Sequence, residues 1–178
     1  MSNLSRIQRV SRLMRICCTV TAFGIPVVLA TMWATFSTWA PTHPEFVHIR
    51  PLADPMPTTS LALGFAISLI PGSIAILAFW RLRSLFGLYE QGYIFTAESI
   101  GSLRGFAIAI ILFAIAKPFA NVLLSMALTL SNPPGQKMLA ISVGSSDFTT
   151  AFIGCVFLII GWTMDEGRKL AEEQAQIV

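Results

Sequence analysis

A lysine and a proline, Lys117-Pro118, interrupt an otherwise uncharged stretch from Gly105 to Leu130, and Asn121 follows one helical turn later. Holding a charged side chain in hydrocarbon costs roughly 3 kcal/mol at a helix centre unless it snorkels, pairs or meets water. Pro118 frees a carbonyl one turn earlier, and Asn121, four residues after Lys117, shares its face. Lys117, Pro118 and Asn121 thus make a candidate intramembrane polar site, suited to an ion or substrate path. The membrane-proximal carboxylate of the fourth apolar run is Asp147. A straight antiparallel pairing of the two runs leaves Asp147 near the outer end, well above Lys117, so the expectation is a lysine that snorkels or bonds a carbonyl at a proline kink.

A second set of charges, Glu98, Arg104, Glu166, Arg168 and Glu172, borders the apolar runs and is a candidate face for a partner protein. His43, Glu45, His48 and Asp54 offer imidazole and carboxylate of the kind that binds divalent metals, but in a stretch carrying five prolines between Pro41 and Pro57 their spacing is not that of a metal site. Cys17 and Cys18 are adjacent and Cys155 is alone, which gives neither a disulfide framework nor paired zinc ligands. No glycine-flanked nucleophile, phosphate-cradling glycine loop or intramembrane His-Glu constellation occurs. The residues therefore predict no enzyme, no cofactor and no metal.

The elements that must carry these groups follow from composition. Of 178 residues, 54% are hydrophobic and 12% charged, with a mean hydropathy of +0.71. The apolar residues fall into runs over 16–40, 59–80, 105–130 and 148–164, each near or above the roughly 20 residues that cross a bilayer. The expectation is an all-α polytopic membrane protein, a four-transmembrane-helix bundle forming one integral domain over residues 1–178. The first run continues through Trp33, Phe36 and Trp39, past any signal-peptidase site, and so reads as a retained anchor. Pro26 should kink it, and the Pro-rich stretch from Pro41 to Pro57 reads as an extended loop. Gly64, Ser68 and Gly72 put small side chains on one face, where another helix can approach closely.

Orientation follows from basic residues near the span ends. Arg6, Arg9, Arg12, Arg15, Arg81, Arg83, Arg104, Arg168 and Lys169 fall on one side, and Arg50 and Lys137 on the other. Both termini and the 81–104 segment are therefore expected in the cytoplasm. A net charge of +3, scattered in this way, excludes direct nucleic-acid binding. From Ser5 to Ile16, arginines and aliphatic residues segregate to opposite faces, which predicts a helix lying on an anionic leaflet; the basic first helix and the acidic tail could also meet. Gly92-Tyr-Ile-Phe-Thr-Ala-Glu-Ser-Ile100 reads as a helix start: Thr96 caps, Glu98 sits in the first turn, and Phe95 and Ile100 are placed for a hydrophobic staple. Ser99, Ser102 and Arg104 are then expected on exposed turns, and the fourth helix should continue past Asp165 as a polar stub.

The turn from Gly92 to Thr96 with Ile100 and Leu103-Arg104 behind it, and the closing run from Glu166 to Glu173, resemble those of small bacterial integral membrane proteins of the domain of unknown function 2975. The four-run layout matches as well, whereas the end from Glu173 to Val178 is less acidic than the resemblance leads one to expect. The resemblance implies a location, the bacterial cytoplasmic (inner) membrane, without an activity. It also implies, as a partner besides the lipid bilayer, a small cytosolic helix-turn-helix regulator held at the cytoplasmic face. The expected role is a membrane-resident binding or regulatory partner. The alternatives are a small transporter or channel subunit with a polar path at Lys117 and Asn121, or an accessory subunit beside another membrane subunit. Whether the chain forms a homo-oligomer is left open.

Overall fold

A computed structural model of the chain describes residues 3–40, 56–130, 132, 139 and 143–176. They form α1 (Asn3–Ala34), a single turn α2 (Phe36–Trp39), α3 (Thr58–Glu90), α4 (Ala97–Thr129) and α5 (Ser145–Gln176). The described residues contain no strand, and α1, α3, α4 and α5 are each long and apolar enough to cross a membrane. Helices of 32 or 33 residues are about 50 Å long, well beyond a hydrocarbon core of about 30 Å, so each extends past the lipid. The histidine-containing loop, with His43, Glu45, His48 and Asp54, lies outside the described residues.

Extensive packing runs in chain order: α1 on α3, α3 on α4, α4 on α5. The small-residue stripe of α3 is the seat of α1. A Cβ at Gly64 would fall 2.0 Å from the Trp33 ring, and one at Gly72 would fall 2.8 Å from Leu29. Between them Trp33 Nε1 donates to Ser68 Oγ at 3.2 Å. On α5, Gly154 gives the same close approach to Ile111 and Ala107, and Gly161 to Arg104. Small residues are what membrane helices need here, because lipid tails supply no hydrophobic drive and association rests on backbone proximity.

Away from the termini, Trp33, Phe36, Ala40 and Leu128 form a buried cluster bordered by Leu61, Phe65 and Leu124. Trp33 stacks on Phe36 with centroids 4.8 Å apart, and Phe36 meets Trp39 edge-on at 5.4 Å. Large apolar side chains such as Val20, Phe23, Phe148 and Phe152 point outward. That inversion costs free energy in water and none in hydrocarbon.

At the end carrying both termini, α3 closes in a Schellman motif. Gly92 N–H donates to Tyr89 O and Tyr93 N–H to Leu88 O, and Gly92 holds φ +90°, which a side chain would resist. Thr96 then caps α4 by accepting from Ser99 N–H. Two local expectations are corrected. Phe95 is 67% exposed while Ile100 is buried, so they do not close a staple. Ser99 is fully buried, because its hydroxyl donates to Tyr93 O and meets Thr96 Oγ1, which turns it under the turn instead of toward solvent.

The arginine-rich start is likewise not a separate surface helix. It is continuous with the span through Pro26 as one helix, Asn3–Ala34, and its Arg12 and Arg15 are held by Glu90 at 2.7 and 3.0 Å. Glu90, the last residue of α3, takes both, so these two arginines do not wait for the acidic tail.

Candidate functional site

Lys117 has a partner at its own depth. Its Nζ lies 3.2 Å from Asp147 Oδ1, with the Asp147 side chain 8% exposed. The expectation that Asp147 stands well above it fails on register. Gly154 against Ala107 and Ile111, Phe157 edge-on to Phe106, and Gly161 against Arg104 set α5 antiparallel to α4 so that Asp147 comes level with Lys117. Consequently α4 continues roughly three turns beyond Lys117, while α5 has just begun. The second carboxylate oxygen of Asp147 accepts from Gly144 N–H at 3.0 Å, so the same side chain caps α5 and neutralises the lysine.

Lys117 also borders a cleft of about 560 Å³ between α1 and α4, floored by α3. Ile25, Leu29 and Met32 form one wall, Phe113, Ala120, Asn121 and Leu124 the other, and Ile67, Ser68, Pro71, Gly72 and Ala75 the floor. Pro118 is not among the lining residues; it lies inside α4 beside Lys117, where it removes one helical hydrogen bond. The structure thus brings Lys117 and Asn121 to one surface, and adds Ser68 and Asp147, which sequence reasoning did not join to them. The Gly64-Ser68-Gly72 spacing was the available signal for the floor. The α4–α5 register leaves no local mark in the residues.

Four of the five charges proposed for a partner face are engaged at the terminal end, by one another or by Asp165 and Lys169. Arg104 lies 4.0 Å and Arg168 3.2 Å from Asp165, Arg168 also binds Glu172, and Lys169 reaches Glu166 at 3.8 Å. Asp165 is the hub that was missed. Glu98 is exposed in the first turn of α4 and joins no ion pair among the described residues. Beside this network Phe95 and the α5 face of Thr163, Met164, Gly167, Ala171 and Ala175 enclose a groove of about 700 Å³, with Arg168 and Glu172 at its rim. Among the described residues no group of three or more His, Cys, Asp or Glu could hold a metal ion.

The model of a family described as a protein of unknown function (DUF2975) matches residues 19–178. The chain belongs to this family. With four membrane-length helices, it is a multi-pass helical protein of the bacterial inner membrane. No curated protein and no solved structure matches it.

Proposed function

We propose that the protein is a membrane-resident binding partner that presents its terminal end to a cytosolic protein, with both termini and the α3–α4 turn inside the cell. The groove beside Phe95 carries this reading. An aromatic ring two-thirds exposed, an apolar floor on one helix and a rim of opposite charges suit an amphipathic helix laid against α5. A small helix-turn-helix regulator is a partner of that kind. Orientation is supported by the nine basic residues gathered at this end.

A photo-reactive benzophenone amino acid at position 95 tests the reading in intact cells. The expected result is one discrete adduct with a cytosolic protein, lost in Gly167→Trp, which fills the groove at a position where an added Cβ meets nothing within 4 Å. Cross-links to lipid alone, or an adduct indifferent to Gly167→Trp, would overturn it. Orientation is read separately: a single cysteine at position 172, with Cys17, Cys18 and Cys155 replaced, should react with an impermeant maleimide only after the cells are opened.

The transporter alternative draws on the α1–α4 cleft, but with Lys117 neutralised by Asp147 no uncompensated charge is available there to pull an ion through.

A further inference from the structure

We infer that the cleft between α1 and α4 is a binding site for a neutral, membrane-dissolved molecule whose head carries hydrogen-bond-accepting carbonyl oxygens, a quinone or a lipid ester being the two natural sources of that chemistry. The site is separate from the groove at the terminal end, and the inference does not depend on it.

The shape comes first. About 560 Å³ bounded chiefly by Leu29, Met32, Phe113 and Leu124 holds an apolar body of moderate size, at a depth that lipid-soluble molecules reach. The polar groups then select the head. Ser68 is spent: its hydroxyl donates to Gly64 O at 2.9 Å and accepts from Trp33. Trp39, which also lines the cleft, donates its Nε1–H to Met32 O at 2.9 Å. The side-chain donors left are those of Lys117, whose ammonium has three N–H and is engaged by one carboxylate oxygen, and the amide of Asn121, which has no side-chain partner among the described residues. They stand one helical turn apart on α4, a spacing that suits one oxygen between them or two on one head.

Charge then excludes the competitors. Because Asp147 already neutralises Lys117, an anionic head such as a fatty acid carboxylate would enter as an uncompensated charge beside a carboxylate, in a medium that penalises it heavily. A hydrocarbon without a head would leave the Asn121 amide and the Lys117 N–H groups not taken by Asp147 desolvated and without an acceptor. A neutral acceptor satisfies them and adds no charge.

The test uses the full chain, purified in a mild non-ionic detergent and titrated with decylubiquinone while tryptophan emission is followed; Trp39 borders the cleft and reports occupancy. Quenching is expected to contain a saturable component. Asn121→Leu, which breaks no ion pair, should weaken the apparent Kd at least fivefold, and Ala75→Phe, which fills the floor without touching a polar group, should remove the saturable component. Palmitate and hexadecane should fail to displace the quinone from wild type. The absence of saturable quenching, equal displacement by palmitate or hexadecane, or full binding by Ala75→Phe would each overturn the proposal. The competition arms use wild type alone, so they decide the matter even where a variant does not fold. Organic extracts of wild type and Ala75→Phe, compared by mass spectrometry, separate the sources. Enrichment of a quinone in wild type assigns one, enrichment of a neutral glyceride or phospholipid the other, and no enrichment of either class overturns the native occupant.

Discussion

Two parts of the molecule use the same chemistry under opposite conditions. At the terminal end, arginines and carboxylates are numerous, only partly buried and interlinked: Arg12 and Arg15 on Glu90, Arg104 and Arg168 on Asp165, and Arg168 on Glu172. In the interior of the helix row there is one pair, Lys117 with Asp147, and no other charge at that depth among the described residues. In water each exposed pair is worth about 0–1 kcal/mol, since solvent and salt compete for it. Removing one partner of a buried pair costs about 3–5 kcal/mol, because the survivor is left uncompensated. The number of ion pairs is therefore a poor guide to which of them the fold depends on; depth decides.

The largest effect that would break this contrast is expected at Asp147. Asp147→Ala should cost about 3 kcal/mol in denaturant unfolding from mixed micelles. The double change Lys117→Met with Asp147→Leu should cost less than that single change, because no orphan charge remains. A double change as damaging as the sum of the two singles would show the pair to be unimportant.

A smaller effect sharpens the comparison along one interface. Gly154→Ala drives a methyl to 2.7 Å from Ile111 and 3.2 Å from the Ala107 carbonyl, and should destabilise by about 1–2 kcal/mol through overpacking. Gly161→Ala meets Arg104 Cγ at 2.7 Å, a flexible stem at the exposed end that can swing aside, so its thermal transition should shift by less than half as much. The smallest effect is expected for Glu90→Gln. Losing the hold on Arg12 and Arg15 should cost no more than about 1 kcal/mol, and the difference from wild type should shrink as salt is raised through the physiological range.

Much of the architecture was legible because lipid imposes a simple rule on composition: four apolar runs had to be helices, and the glycine and serine spacing of α3 had to admit a neighbour. The cap at Thr96 was readable for a similar reason, since its chemistry is local. Failures came where a long-range register decided the outcome. Sequence alone puts Asp147 too high, because the apolar run starting at Phe148 reads as beginning at the outer surface, level with the end of the run at Leu130. In the folded protein α4 outlasts α5 on that side. Glu90 and Asp165 were overlooked as hubs, since an acidic side chain among many bases carries no sequence mark of which one it will hold. Phe95 was assigned to its own helix when its open face belongs beside α5.

The shared depth of Lys117 and Asp147 reaches back to how the chain is made. α5 is synthesised after α4, and its leading carboxylate would be an expensive passenger if that helix partitioned into lipid by itself. With α4 already threaded, the lysine offers a berth at the right height, so insertion of α5 is cheapest against α4. Entry of α5 into the membrane is thus coupled to the prior placement of α4.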